Sequence, residues 1–183
     1  IAQIAAQAGS TVQLFDLNPE ACRQAHAAIA AQWDKLQDKG RIDAATADAY
    51  KTRLQTAASL GDLHNCDLVV EAAVERLDIK QSLFAQLEDI VRPDAVLVTN
   101  TSSLSVTAIA AGLKRPAQFA GYHFFNPVPL MKVVEVIAGL KTDAAVCAGL
   151  TEYARQMGHT PVQAQDTPGF IVNHAGRAYG TEA

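Results

Sequence analysis

The stretch CDLVVEAA, residues 66–73, decides the fold class. It is apolar and rich in β-branched residues, yet too short for a typical helix, so it predicts a buried parallel strand. A helix is expected next, at about residues 77–91, and a second strand of the same kind, AVLVT, follows at 95–99. This alternation of strand, helix and strand is typical of an α/β domain with a parallel sheet.

The same alternation is predicted on both sides of this stretch. Upstream, the alanine-rich IAQIAAQAG predicts a helix that ends at Gly9. Asn18 and Pro19 predict the cap and the first residue of a long second helix. The remaining elements are strands at residues 11–15, 117–125, 132–138 and 160–165, and helices at about 44–57, 105–112, 143–157 and from Thr167, the expected cap of the last helix.

Together these elements predict a Rossmann-like, doubly wound α/β fold, with a mainly parallel sheet covered by helices on both faces. The sequence starts inside the first helix of such a fold. The first strand and the glycine-rich loop that precede this helix in dinucleotide-binding folds are therefore expected upstream of Ile1. A domain boundary is expected near residues 166–169, just before the last helix.

The composition excludes several classes of function. The 183 residues are 49% hydrophobic and 19% charged, and the formal net charge of −4 leaves no basic surface for nucleic acid or an anionic membrane. The apolar runs are too short for a membrane span. The three cysteines are far apart, and His64 with Cys66 is an isolated pair of potential ligands, so no metal site is expected. Reduced thiols and a cytoplasmic protein are the resulting expectations.

Polar side chains are predicted at the carboxyl ends of several strands, where doubly wound sheets bind their ligands. They comprise acids, amides, hydroxyls and one imidazole: Asp16, Glu71, Glu75, Asn100, Thr101, Ser102, Ser103 and His123. This clustering predicts a binding or catalytic site at one edge of the sheet.

Asp16 follows the second strand expected of such a fold. An acid at this position can accept hydrogen bonds from an adenosine ribose, and it repels a 2′-phosphate, which favours NAD over NADP. The alternative is that Asp16 only opens the turn before the Asn18 cap.

His123 and Glu135 are twelve positions apart on two consecutive predicted strands. Pro127 and Pro129 between them cannot donate hydrogen bonds to a sheet, so they mark an irregular connection. Strands joined in this way can bring imidazole and carboxylate into contact, and such a contact holds a histidine in one tautomer and stabilises its protonated form. The alternative is a core histidine with its hydrogen bonds satisfied and a glutamate that faces solvent.

Three stretches carry a family resemblance: NTSSLSVTAIA at residues 100–110, GYHFFNPVPLMKVVEVI at 121–137 and DTPGFIVN at 166–173. In this order and spacing, the chain resembles the L-3-hydroxyacyl-CoA dehydrogenase family, which includes the 3-hydroxybutyryl-CoA dehydrogenases. The resemblance implies an NAD-binding domain at residues 1–167, truncated at its N-terminus. Residues 168–183 would then start an all-helical C-terminal domain that binds substrate and forms a homodimer.

The resemblance also implies the reaction, in which NAD oxidises the 3-hydroxyl group of an acyl-CoA to a 3-oxo group, reversibly. His123 would be the general base, and Glu135 would orient it and stabilise its charged form. Ser102 would hydrogen-bond the reacting oxygen, and Asn173 would help to hold the substrate. Ser103 remains an alternative to Ser102, because spacing does not separate the two.

Further contacts follow from the same resemblance. The expected NAD contacts are Asp16, Glu75, Lys80, Asn100, Ser102 and Asn126, and the expected coenzyme A contact is Lys39. Lys39 and Lys80 could instead be solvated helix charges. Asn126 could only cap its turn, and Asn173 could be an ordinary polar residue in the first turn of a helix.

Two other hypotheses remain open on the sequence. One is a non-catalytic relative of this fold, such as a lens-crystallin-like structural protein. The other is the dehydrogenase domain of a multifunctional fatty-acid oxidation protein. The combination of His123, Glu135, Ser102 and Asn173 argues against the first hypothesis, because a structural protein needs no such set.

Overall fold

The computed structural model describes residues 1–181, with side chains through Gly176. The chain divides into two compact units, residues 1–63 and the part that begins at His64. This division lies inside the predicted NAD-binding domain, and the predicted boundary after Thr167 stays a prediction. Among the described residues, no helix combines the length and the apolar composition that crossing a bilayer requires.

The first unit contains three helices and a small parallel sheet. Its elements are α1 (Ala2–Gln7), β1 (Val12–Leu14), α2 (Pro19–Asp38), α3 (Ala44–Arg53) and β2 (Leu54–Thr56), before a short 3-10 helix at Leu60–Asn65. Strands β1 and β2 pair in parallel, with Val12 opposite Leu54. A buried cluster of Ala6, Trp33 and Leu54 forms the core of this unit.

The predicted helix ends are confirmed for α1 and α2. Gly9 follows α1 with a φ of +105°, a conformation that suits glycine. At the start of α2, the side chain of Asn18 accepts hydrogen bonds from the backbone N–H groups of Glu20 and Ala21, and Pro19 takes the first helical position.

The helix predicted at residues 44–57 is wrong in its second part. It ends at Arg53, and residues 54–56 form β2 instead. Leu54 is only 2% exposed and pairs with β1, so burial and strand pairing outweigh the local helical preference of this segment.

The second unit is built around a five-stranded sheet with the order β3-β4-β5-β6-β7. Neighbouring strands are parallel except for β5 and β6, which are antiparallel. The strands are β3 (Leu68–Glu71), β4 (Val96–Thr99), β5 (Phe119–Phe124), β6 (Val133–Ala138) and β7 (Thr160–Gln165), and the helices are α4 (Leu77–Ile90), α5 (Val106–Ala110), α6 (Ala144–Gln156) and α7 (Val172–Thr181), with a 3-10 turn at Pro116–Gln118.

Strand β5 is buried along its whole length, because helices cover both faces of the sheet. On one face, the Tyr122 hydroxyl donates a hydrogen bond to the carbonyl of Leu150 in α6. On the other face, the ring of Phe119 packs edge-on against Phe84 of α4, with 4.7 Å between centroids. The predicted α/β class with a mainly parallel, doubly covered sheet is confirmed.

The last helix begins later than predicted. Thr167 does not cap it, because α7 starts at Val172. Gly169 and Phe170 precede it with φ values of 77° and 51°, which are incompatible with a right-handed helix. Asp166 instead adds a second cap to α5 beside its N-cap Ser105: its carboxylate accepts hydrogen bonds from the Ser105 hydroxyl and from two backbone N–H groups at the start of that helix.

Candidate active site

His123 near the end of β5 lies directly opposite Glu135 in β6. Their side chains are in contact, with 2.7 Å between Nδ1 of His123 and Oε2 of Glu135. The two residues are buried, with 5% and 0% of their surface exposed, respectively. The alternative of a solvent-facing glutamate is therefore wrong, whereas the catalytic role of the pair stays a prediction.

Glu135 is held on its other side by the backbone. Its Oε1 atom accepts hydrogen bonds from the N–H groups of Ile171 and Val172, at 3.0 and 2.9 Å. A carboxylate only accepts hydrogen bonds, so the proton between it and His123 belongs to Nδ1. This tautomer leaves the Nε2 lone pair of His123 available to accept a proton.

Aromatic rings flank the imidazole. The ring centroid of Phe125 lies 4.5 Å from that of His123, and the centroid of Phe170 lies 5.8 Å away. These apolar walls limit the access of water to the pair, which strengthens its electrostatic interactions.

The loop of residues 100–103, here called the Ser102 loop, follows β4 and is tied to β5. Asn100 accepts a hydrogen bond at its Oδ1 atom from the backbone N–H of Phe124, next to His123. Asn173 donates from Nδ2 to the carbonyl of Ser102, at 3.2 Å. The structure thus brings together the strand end, the loop and the start of α7.

The two candidate serines of this loop differ in their hydrogen bonds. The Ser103 hydroxyl donates to Glu75 at 3.0 Å. Within the described part of the chain, the Ser102 hydroxyl has no hydrogen-bond partner, so it is free to meet a ligand. This difference favours Ser102 over Ser103 as the substrate contact, and that role stays a prediction.

Lys80 and Glu71 form a buried ion pair that sequence reasoning missed. The Lys80 ammonium lies 2.6 Å from Oε1 of Glu71, and both side chains are 1% exposed. The alternative of a solvated helix charge is therefore wrong for Lys80. A signal was present, because Lys80 shares the helical spacing of the buried Phe84 and Leu87 in α4.

Asn126 is exposed and precedes a cis bond to Pro127. Its side chain makes no hydrogen bond to any described residue, so the alternative of a turn cap finds no support. Its role in cofactor binding stays a prediction.

The first unit carries two predicted contacts, both exposed. Asp16 accepts a hydrogen bond from the backbone N–H of Asn18 at 2.7 Å. This contact agrees with the alternative in which Asp16 opens the turn before α2. Its second carboxylate oxygen has no partner among the described residues, so ribose binding remains compatible with the turn. Lys39 follows α2 as its C-cap. The role of Asp16 in cofactor binding and the role of Lys39 in coenzyme A binding stay predictions.

The residues fit a nicotinamide dinucleotide unequally. In the second unit, Ser102 and Asn126 each present a polar atom without a partner in the described chain, and a hydroxyl and an amide suit ribose and nicotinamide groups. In the first unit, taken by itself, Asp16 presents a carboxylate oxygen that suits a ribose. Lys80 fits less well, because its ammonium faces Glu71. The fit to the cofactor therefore rests on the strand-end residues rather than on the buried pair.

Two other features lie away from these residues. A cavity of about 230 Å³ is found at the opposite end of β5, lined by residues that include Thr107, Leu113 and Leu140. Among the described residues, no three histidine, cysteine or acidic side chains are grouped as a metal site would require.

Comparison with known proteins identifies the family. Residues 1–167 match the family described as 3-hydroxyacyl-CoA dehydrogenase, NAD binding domain, and the chain belongs to this family. It is 45% identical over 183 residues to the 3-hydroxyadipyl-CoA dehydrogenase of Escherichia coli (strain K12), covering 100% of this chain and 38% of that protein. It is 44% identical over 176 residues to the probable 3-hydroxybutyryl-CoA dehydrogenase of Deinococcus radiodurans, covering 94% of this chain and 62% of that protein.

A solved structure agrees with this assignment. The chain matches a crystal structure of 3-hydroxybutyryl-CoA dehydrogenase from Escherichia coli K12 with a TM-score of 0.96 and 45% identity, covering 99% of this chain and 38% of that one. The chain thus spans less than two thirds of the length of these relatives.

Proposed function

We propose that this chain is the cofactor-binding part of an enzyme that oxidises (S)-3-hydroxyacyl-CoA to 3-oxoacyl-CoA with NAD, reversibly. The observation that carries the proposal is the buried contact between His123 and Glu135, with the carboxylate fixed by two further backbone hydrogen bonds. The names of the relatives, which act on 3-hydroxyadipyl-CoA and 3-hydroxybutyryl-CoA, support an acyl-CoA substrate.

In this reaction, Nε2 of His123 accepts the proton of the 3-hydroxyl group. The negative charge of Glu135 stabilises the imidazolium that forms, and its fixed position keeps the ring aligned. The Ser102 hydroxyl donates a hydrogen bond to the reacting oxygen as negative charge develops there. Bound NAD supplies the acceptor for the hydride that leaves C3 of the substrate. In the reverse direction, His123 returns the proton.

The remaining residues bind and position. Asp16 would accept hydrogen bonds from the adenosine ribose, and Asn126 would contact the cofactor with Asn100 and Ser102 at the nicotinamide end. Glu75 and Lys80 would also contact the cofactor, and Lys39 would contact coenzyme A. Asn173 would hold the substrate beside Ser102, whose carbonyl it already contacts.

We further propose that the protein is cytoplasmic and forms a homodimer through the helical domain that starts at residue 168. Its three cysteines are unpaired, which agrees with a reducing compartment. Light scattering should give twice the chain mass when this chain carries the C-terminal part of the Deinococcus radiodurans relative. A monomer at micromolar concentration would contradict the dimer.

The test uses a chimera in which this chain replaces the matching part of the Deinococcus radiodurans relative. Replacing His123 by Gln in the chimera should lower kcat for acetoacetyl-CoA reduction by NADH about 10²-fold or more, since general-base catalysis is lost. Glu135→Gln should cause a milder loss. NADH affinity, measured by fluorescence titration, should stay within about twofold in both variants, because neither side chain is proposed to bind the cofactor.

His26→Gln is the matched control, because the imidazole of His26 hydrogen-bonds the carbonyl of Leu54 in the first unit and has no proposed role in the reaction. It should keep wild-type turnover. Unchanged turnover in His123→Gln would refute the proposed general base. A folded chimera that binds NADH but lacks turnover would favour the non-catalytic, crystallin-like alternative. The hypothesis that this chain is the dehydrogenase domain of a multifunctional fatty-acid oxidation protein stays open, because it implies the same reaction.

A further inference from the structure

A charged cluster with a buried ion pair supports the Ser102 loop, and one of its members, Glu71, has no role in the function proposed above. It consists of Glu71 at the end of β3, Lys80 in the first turn of α4 and Glu75 between them, here called the Glu–Lys–Glu relay. Glu71 and Lys80 are each 1% exposed in their side chains. Buried charges are costly unless they are paired and hydrogen-bonded, so each contact in this cluster matters.

Lys80 is turned inward and surrounded by oxygen atoms. Its ammonium lies 2.6 Å from Oε1 of Glu71, 3.4 Å from the carbonyl of Ala73 and 3.4 Å from Oε2 of Glu75. An ammonium group has three N–H donors, which is the number of these neighbours. Lys80 therefore bridges two carboxylates rather than presenting a free charge.

Glu71 is the fixed end of the relay. Its Oε2 atom accepts a hydrogen bond from the Thr99 hydroxyl in β4 at 2.7 Å. Its Oε1 atom accepts a second one from the backbone N–H of Ala73. These bonds anchor Glu71 to a central strand and to the loop after β3, so it has little freedom to move.

Glu75 is the end that reaches the Ser102 loop. Its Oε1 atom accepts hydrogen bonds from the Thr101 hydroxyl, from the Ser102 N–H at 3.0 Å, and from the N–H and hydroxyl of Ser103 at 3.1 and 3.0 Å. Burial would raise the pKa of Glu75, but these hydrogen bonds and Lys80 together lower it below its ordinary value. Glu75 is thus a charged carboxylate that fixes the backbone of the loop.

We propose that Glu71 is a positioning residue: through Lys80 it holds the Glu75 carboxylate on the backbone of residues 101–103 and so sets the place of the Ser102 hydroxyl. The inference rests on the proposed contact of Ser102 with the substrate oxygen. Lys80 and Glu75 then act on the reaction through the Ser102 loop, in addition to any contact with the cofactor. Because the relay carries two negative charges and one positive charge, loss of the Glu71 charge leaves Lys80 to draw Glu75 away from the loop.

The first arm of the test measures turnover in the chimera. Glu71→Gln keeps the size of the side chain and an acceptor oxygen but removes the charge. It should lower kcat on the order of tenfold or more, with smaller changes in KM for NADH, because misplacement of a reacting contact acts on the chemical step. Glu88→Gln is the matched control: Glu88 is also buried and accepts backbone hydrogen bonds from Lys114 and Arg115, but it lies near the C-terminal end of α4, away from the Ser102 loop. Glu88→Gln should lower the Tm but keep kcat.

A double variant separates positioning from stability. Replacing Glu71 and Lys80 together by Met removes both buried charges, and such a replacement often restores stability. We expect the Tm to recover relative to Glu71→Gln while kcat stays low, since Glu75 has lost its support. Recovery of kcat together with the Tm would overturn the proposal, and Glu71 and Lys80 would then form an ion pair with a structural role alone.

The second arm does not depend on activity. The N–H groups of Ser102 and Ser103 both donate to Glu75, so their hydrogen exchange reports on the relay directly. In Glu71→Gln, exchange at these two sites should accelerate about tenfold, whereas the N–H of Val98 in β4 should keep its rate. Unchanged exchange at Ser102 and Ser103 would overturn the inference. A wild-type chimera without turnover would count against the proposed function alone, because hydrogen exchange at Ser102 and Ser103 tests the positioning role without any measurement of activity.

Discussion

At the scale of single residues, Gly121 is a position where one methyl group has a large effect. It lies in the middle of β5, and a Cβ atom there would come within 2.8 Å of Cγ2 of Val106 and 2.9 Å of Cβ of Ile137. Val and Ile side chains are stiff, so these neighbours cannot turn away. We expect Gly121→Ala to lower the free energy of unfolding by about 1–3 kcal/mol, measured by urea denaturation followed by circular dichroism.

Gly149→Ala provides the matched control. Gly149 lies on the exposed side of α6, and no described atom beyond its own helix backbone and chain neighbours lies within 4 Å of the place that a methyl group would take. Alanine there should stabilise the chain by about 0.5–1 kcal/mol, because glycine weakens helix interiors. Equal stability of the two variants would mean that β5 does not approach α5 as closely as the structure has it.

Features that depend on local chemistry were predictable from the sequence at this scale. The Asn18 cap and Gly9 were predictable because a side-chain acceptor and a positive φ act within a few residues of their own position. The burial of Lys80 was not predicted, because an ion pair with Glu71 depends on how α4 packs against β3. Lysine side chains are rarely buried, so a lysine is expected to be exposed even where its helical spacing matches that of buried residues.

At the scale of elements, the Asp166 cap of α5 gives a pH-dependent stability. Burial alone would raise the pKa of Asp166, but hydrogen bonds from Thr107, Ser105 and Val106 outweigh it and lower the pKa below its ordinary value. A carboxyl whose pKa is lowered in the folded state stabilises the fold above its unfolded pKa of about 3.9. This stabilisation is lost as the pH falls through the lower folded value.

Asp166→Asn should therefore lower stability by about 1 kcal/mol at pH 7, because the amide keeps one acceptor oxygen but loses the other together with the charge. As the pH falls below about 4 the difference from wild type should shrink, because the unfolded chain then binds a proton at this position more readily than the folded one, until the folded carboxylate is protonated as well. Thermal unfolding at several pH values measures this. Asp38→Asn, at an exposed position at the end of α2, is the control and should keep the wild-type stability at pH 7. A constant difference at all pH values would contradict the charge-dependent cap.

Element boundaries were least predictable where distant contacts decide them. The strand at residues 54–56 has only three residues and follows α3 without a break, so its sequence alone predicts helix. Its pairing with β1 depends on a segment that lies far upstream, before α2. Likewise, Thr167 and Pro168 are typical of a helix start, but the left-handed φ of Phe170 delays α7 to Val172.

At the scale of the whole molecule, the two units should differ in stability. The first has a sheet of two three-residue strands and a small core, whereas the second has a five-stranded sheet. Trp33 is the one tryptophan of the chain and lies fully buried in the first unit. We expect its fluorescence to report unfolding at a lower urea concentration than circular dichroism, because a unit with little buried surface is less stable.

A second probe tests the other unit. In the variant with Trp33→Phe and Phe125→Trp, the fluorescence reports on the second unit and should change at the higher urea concentration. Coincident transitions of all three probes would show that the chain unfolds as one cooperative body. Apart from β2, the order of the strands and α-helices and the class of the sheet were predictable from the sequence, whereas the division at residue 63 was not, since strands and helices alternate on both sides of it.

The hydrogen bonds of Glu135 have a consequence beyond the orientation of an imidazole. One oxygen of this carboxylate contacts His123, and the other accepts hydrogen bonds from the backbone N–H groups of Ile171, just before α7, and of Val172, its first residue. A displacement of that helix would therefore be transmitted to the imidazole, and a change of charge on the imidazole would be transmitted to the helix. With His123 as the proposed proton acceptor, proton transfer and the placement of α7 would be linked through a single buried side chain.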